Sequence, residues 1–299
     1  MLGIRCCDSN LGLQGFIAGT DVTSQMTPRA TPRGSPRTSE SHGDTDADDA
    51  DDAANATATA ARADLAFNVV QPTSAQAAAA DGVSLIEEDI EEYQKAVCYF
   101  REFLAKGHSE LGRDGPTCPF VPVALRKNSL HMAICRTDGE TTQSYVEAVA
   151  RHFLNRYRVL EPTSGKMEVY KAVLLIFPNV SLDRAHEVID QVQAKLKPLF
   201  VREGLMIGEF HMRNDAPGLR NPHFYPLRTP SPCLAVRKIV PTDLAFLDMS
   251  KYSAEIRVQF LTSYLRQFDG ADLKPRELTA MHEAKEALGR AELELTKNG

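Results

Sequence analysis

Residues 169–177, VYKAVLLIF, constrain the fold more than any other stretch, because they form a nearly unbroken apolar run that stops at Pro178-Asn179. Nine residues fall well short of the roughly 18 that a membrane-spanning helix needs. A short run of this kind is a strand buried on both faces, which places it at the centre of a sheet with other elements covering it.

The flanking periodicities supply those elements. Ser84 with Glu87 three residues later reads as a capping box, and Ile86, Ile90, Tyr93, Val97, Phe100 and Leu104 then recur at helical spacing up to Gly107. Residues 130–136 read as a short strand and 145–157 as a helix carrying Val146, Val149, Phe153 and Tyr157. Ser181 caps a helix that Pro198 ends or kinks, and residues 204–212 and 233–240 read as two further strands. Helices over 254–268 and 275–295 close the chain. The order α, β, α, β, α, β, β, α, α predicts one α+β domain over residues 83–299, a small mixed four-stranded sheet covered by helices.

Residues 1–82 have a different composition. Thr27-Pro28-Arg29, Thr31-Pro32-Arg33 and Ser35-Pro36-Arg37 repeat in series, followed by an Asp-rich run over 44–52 and an Ala/Thr tract. Such a segment buries too little apolar surface to offset an ordering cost of about 1–2 kcal/mol per residue, so a disordered tail is expected. The tail holds five Arg against eleven Asp or Glu, which accounts for the net charge of −6 and leaves the rest balanced. A balanced domain is not a bulk polyanion binder, which argues against nucleic acid. Six cysteines without a CxxC pair, and an N-terminus without a secretory signal, point to free thiols in a reducing compartment, the cytoplasm.

The candidate site lies in residues 204–243, GLMIGEFHMRNDAPGLRNPHFYPLRTPSPCLAVRKIVPTD. Strand alternation puts Leu205, Ile207, Glu209 and His211 on one face, so a carboxylate and an imidazole follow an apolar pair at the strand's C-terminal end. A long loop rich in Pro and aromatics follows, with Arg213, Asn214, Asp215, Arg220, His223 and Arg228. Arg237 falls among apolar neighbours on the next strand and needs an anion, from the protein or from a ligand. Residues 111–122 form a second Gly/Pro-rich loop that holds Cys118.

These residues allow several chemistries. Cys118 and His211 are suitable metal ligands, but no CxxC, HxxxH or HExxH spacing accompanies them. A haem needs one axial Cys or His, so spacing leaves it open, with the arginines as partners for its propionates. Glu209 and His211 also suit metal-free acid–base work, with Glu209 orienting His211 and Asp215 close in sequence. A structural Glu-His-Arg network is the bland alternative. GxGxxG, GxxxxGK[ST] and GxSxG are absent, and His186-Glu187 reads as a surface pair.

At residues 118–125 (CPFVPVAL), 204–211 (GLMIGEFH) and 221–247 (NPHFYPLRTPSPCLAVRKIVPTDLAFL) the chain resembles the uncharacterised bacterial domain-of-unknown-function family 6875. The resemblance spans residues 84–247 and implies the domain without implying an activity. A more distant likeness is to haem proteins of the YqcI/YcgG type, which have His-Pro where this chain has His211-Met212.

The resulting expectation is a small-molecule enzyme acting on an anionic, carboxylate-bearing substrate, with a haem-dependent oxidoreductase as one form of it. His211 would be proton carrier or axial haem ligand, and Cys118, Arg213, Asn214, Arg220, His223, Arg228 and Arg237 would bind cofactor or substrate. The alternative is a non-catalytic anion-binding or protein-interaction module.

Overall fold

The computed structural model describes residues 69–70 and 87–298, which lie in the compact unit Asp64–Gly299. The expected disordered tail and the capping box at Ser84 fall outside those residues, except for Val69–Val70 (β1), which pairs antiparallel with Ala133 and Met132. Four longer strands follow: β2 (Leu130–Ile134), β3 (Ala172–Ile176), β4 (Leu205–Phe210) and β5 (Cys233–Lys238). They lie in the order β1-β2-β3-β5-β4, with β2 and β3 parallel and the other pairs antiparallel. The later part of the apolar run, Ala172–Ile176, forms β3 at the middle of the sheet, with Val173 to Phe177 at most 3% exposed, whereas Val169 and Tyr170 lie in a 3-10 turn with Glu168. The fold is α+β with a mixed sheet of four main strands.

Helices cover both faces. On one lie α1 (Glu87–Tyr99), which continues into a π-helical turn at Phe100–Leu104, and the short α2 (Val121–Arg126). The Pro-rich sequence around Val121 was expected as loop, but Pro122 sits in the first turn of α2, where its missing N–H has no helical acceptor to lose. Tyr99, Phe100 and Val121 pack on Met132, Leu174 and Ile176.

On the other face lie α3 (Gln143–Val159) and α4 (Gln191–Arg202), the latter entered through a π-helical turn at His186–Asp190. Thr142 caps α3 by accepting from the Tyr145 N–H at 3.3 Å. Phe153, Ile189 and Leu196 pack with Leu175, Ile207 and Val236, all at most 1% exposed. Burying each such side chain contributes about 1.5–3 kcal/mol relative to leaving it in water. Lys171, 1% exposed, donates to the carbonyls of Tyr157 at 2.8 Å and Leu160 at 2.9 Å, satisfying acceptors at the end of α3 that would otherwise have no partner.

The chain then forms α5 (Leu244–Leu247), α6 (Ala254–Gln267) and α7 (Pro275–Asn298). Phe260, Leu261 and Tyr264 of α6 pack with Met206 of β4, Val201 of α4 and Ala284 of α7 in a third apolar cluster. Gly204, with φ +78°, makes the turn from α4 to β4 and donates its N–H to Val201 O at 3.0 Å. That left-handed position favours glycine, and it sets the start of β4 and therefore the register of everything after it. Pro198 lies inside α4 rather than ending it.

Candidate functional site

β4 alternates as its sequence indicates. Leu205 and Ile207 enter the core shared with α4, while Met206 and Phe210 join the other two clusters. The same alternation brings Glu209, and then His211 just past the strand end, toward α4. His211 is 2% exposed, and its Nε2 lies 2.9 Å from Asp190 Oδ1. A carboxylate oxygen can only accept there, which puts the ring proton on Nε2 and leaves Nδ1 as a lone pair. Nδ1 is buried and has no hydrogen-bond partner. A buried polar atom without a partner is rare enough to mark either strain or a site.

The orienting role expected of Glu209 therefore belongs to Asp190, which sequence reasoning missed. Asp190 also accepts through Oδ2 from His186 Nδ1 at 3.0 Å. His186 is 80% exposed, and its partner is Asp190 rather than a pairing with Glu187 alone. One signal in the sequence could have revealed this: a His and an Asp four residues apart lie on one helix face. The segment that presents both is the π-helical turn, a geometry common at functional sites.

Two more titratable groups extend this row. Glu209 is half-buried, and burial first, with the Asp190 charge adding to it, pushes its carboxyl above the ordinary carboxylate range, against Lys197 and Lys251. Lys197, 6% exposed on α4, donates to Tyr252 Oη at 2.7 Å and Phe246 O at 3.1 Å, with the Tyr252 ring 4.9 Å from its nitrogen. Burial lowers its ammonium from the ordinary 10.5 to about 8. Gln193, one turn before it, donates to Ile207 O at 2.7 Å.

The loop after β4 is held mainly by its own polar residues. Asn214, 2% exposed, donates to Glu209 O at 3.3 Å and accepts from Ala216 N–H at 2.9 Å. Arg228 donates to Asn214 O at 2.9 Å and Asp215 Oδ1 at 3.2 Å, and stacks 4.1 Å from the Tyr225 ring. Phe224 anchors the loop, 3% exposed and stacked on His108 at 4.9 Å. Asn214, Asp215 and Arg228 thus fasten the loop to itself. Arg213 and Asp183 form an exposed ion pair, and Arg220 and His223 are exposed.

Cys118 and Arg237 lie elsewhere. Cys118 packs with the α1 and α2 cluster, whereas His211 is bonded to the segment leading into α4 on the opposite face of the sheet. Arg237 makes a two-pronged bond to Asp243, at 2.7 and 2.6 Å, and Asp243 Oδ2 also accepts from Val240 N–H at 2.8 Å. The anion that Arg237 requires is a protein carboxylate. His211 and Cys118 do not converge on one ion, and no group of three or more His, Cys, Asp or Glu side chains among the described residues could hold a metal. In this conformation neither nitrogen of His211 is presented as an axial haem ligand, since Nε2 is bonded to Asp190 and Nδ1 is buried.

Residues 90–278 match the family described as Domain of unknown function (DUF6875). The chain belongs to this family. The DUF6875 match runs from α1 into α7 and includes every candidate site residue named above, starting later than the resemblance expected over residues 84–247 and extending past its C-terminal end. No curated protein and no solved structure matches the chain. No helix among the described residues is long and apolar enough to cross a membrane. The row along α4 and β4 of the DUF6875 domain combines a buried imidazole bonded to a carboxylate, a carboxyl that burial raises above its ordinary range and a lysine that burial lowers to about 8.

Proposed function

We propose that this DUF6875 domain is an enzyme that moves a proton on a small carboxylate-bearing molecule, with His211 as the base and Asp190 as the group that orients it. The observation carrying this reading is the buried imidazole with Nε2 held at 2.9 Å and Nδ1 without a partner. Asp190 keeps Nδ1 free to accept a proton and stabilises the imidazolium that results. Arg213, two residues beyond His211, takes the substrate carboxylate in exchange for Asp183. Their exposed ion pair contributes at most about 1 kcal/mol and yields readily to a better-placed anion. Opening of the loop after β4 admits the substrate. The free thiols of Cys98, Cys118, Cys135 and Cys233 support the cytoplasm as the compartment.

The burial of His211 favours a second reading, a non-catalytic anion-binding module in which Arg213 and Arg220 hold the ligand and the His211–Asp190 bond only fixes the loop. Incubating the protein with a panel of 2-oxo, 2-hydroxy and 2-amino acids in D2O separates the two. The enzymatic reading expects wild-type protein to exchange C–H for C–D on at least one acid, at the carbon beside the carbonyl of a 2-oxo acid or beside the carboxylate of a 2-hydroxy or 2-amino acid, with a hundredfold or greater loss in His211→Gln and Asp190→Asn. Absence of exchange across the panel, together with acid binding that His211→Gln does not alter, removes the catalytic role.

A further inference from the structure

Lys197 is a buried amine that the proton-transfer reading leaves without a task. It extends from α4 on the same side of the sheet as Asp190 and lies seven residues along that helix, two turns and about 10 Å of axial rise away. Its Nζ has two neutral acceptors, Tyr252 Oη at 2.7 Å and Phe246 O at 3.1 Å, and lies 4.9 and 5.6 Å from the ring centroids of Tyr252 and Phe260. None of the described ion pairs gives it a carboxylate. Glu209 heads the charges that act on Lys197 and acts on Tyr252 as well, which puts its carboxyl within electrostatic reach of the bonded Lys197–Tyr252 pair. The segment that covers Lys197 is α5 and the irregular residues 248–253 bearing Tyr252.

We propose that Lys197 is the nucleophile that captures a carbonyl-bearing substrate, a small 2-oxo acid, as an imine. The proposal rests on the proton-transfer reading for its catalytic meaning, since an imine acidifies the adjacent C–H bond whose proton His211 removes. The neutral Lys197 amine forms an N–C bond to the carbonyl carbon, and the carbonyl π pair moves to oxygen, which takes a proton from the Glu209 carboxyl. The first nitrogen-bound proton passes to the Glu209 carboxylate, restoring its acid form and giving the neutral carbinolamine, whose hydroxyl then leaves as water with the second nitrogen-bound hydrogen as the C=N bond forms. Overall, amine and ketone give imine and water, with no change of oxidation state. Burial lowers the Lys197 ammonium to about 8 and raises the Glu209 carboxyl above its ordinary range, and both shifts favour the neutral forms that the step uses.

The test is reductive trapping of the full-length protein. Protein is incubated at pH 7.5 with glyoxylate, pyruvate or 2-oxoglutarate and sodium cyanoborohydride, which delivers hydride to the imine carbon, and the modified lysines are located by peptide mass spectrometry. The expected result is an adduct on Lys197 formed at least tenfold faster than on the exposed Lys195, absent in Lys197→Met, and slowed in Glu209→Gln. Lys197→Met is scored only after its thermal melt confirms folding. Should that variant not fold, Glu209→Gln and the Lys197-to-Lys195 ratio in wild type decide. Adducts on Lys195 at a rate equal to or above that on Lys197 with all three acids overturn the proposal. His211→Gln is expected to keep trapping while losing deuterium exchange. Trapping without exchange therefore sinks the role of His211 alone, and exchange without trapping sinks Lys197 alone.

Discussion

Asp190 holds His211 across 21 residues of sequence, Oδ1 to Nε2 at 2.9 Å, joining the π-helical turn before α4 to the end of β4. The bond fixes the tautomer of a ring that is 2% exposed, and the other oxygen of the same carboxylate faces solvent-exposed His186. Replacing Asp190 by Ala leaves a second buried ring nitrogen without a partner. A cost of about 1–3 kcal/mol is expected for such a group, measured by urea denaturation of Asp190→Ala against wild type. His186→Ala removes only the exposed partner and is expected to change stability by less than about 0.5 kcal/mol.

Arg237 and Asp243 form a structural clamp rather than a ligand site. Asp243, 1% exposed, satisfies the Arg237 fork and the Val240 N–H together, tying the end of β5 to the turn before α5. Asp243→Ala strands a largely buried guanidinium and is expected to cost about 3–5 kcal/mol, read as a lowered urea midpoint. Binding of small carboxylates by whatever folded protein is left should be unchanged, because Arg237 has no part in it.

The depressed ionisation of Lys197 sets a pH dependence whose sign follows from linkage. Between about 8 and 10.5 the unfolded chain holds a proton on this lysine that the folded protein has released, so raising pH through that window stabilises the fold, and the penalty is fully present below pH 8. A shift of that size corresponds to about 3 kcal/mol. Lys197→Met is therefore expected to gain stability relative to wild type at pH 7 and to lose that advantage by pH 10.5, in paired denaturation curves. Comparing the two proteins at each pH cancels the tyrosines that titrate in the same range.

Much of the architecture was legible in the chain. The VYKAVLLIF run indicated a central strand, which Ala172–Ile176 forms, and the parity of residues 205–211 correctly separated Leu205 and Ile207 from Met206 and Phe210. Those are local properties, since side-chain direction in a strand repeats every two residues. The short helix α2 was missed because Pro and Gly around Cys118 signal a turn, and six residues carry too little periodicity to outweigh that signal.

The site was half legible for the same reason. Glu209, His211 and the arginines were picked out because they cluster in sequence, but clustering does not reveal which are already partnered. Asp190 and Asp243, the carboxylates that occupy His211 and Arg237, lie in the helix before β4 and the turn after β5. The loop arginine Arg228 bends back to Asn214 and Asp215 rather than outward. Cys118 and His211 could pass for co-ligands until the sheet was seen to come between them.

By itself the sequence determined where the longer strands and helices form, which face of β4 is apolar, and that polar chemistry gathers at its end, because periodicity and turn residues act over a few positions. Only the tertiary structure decided which charges cancel and which nitrogen stays free. Those outcomes depend on packing α4 against β4 and turning the chain back after β5, where burial strengthens every polar contact and leaves the unpartnered Nδ1 of His211 exceptional.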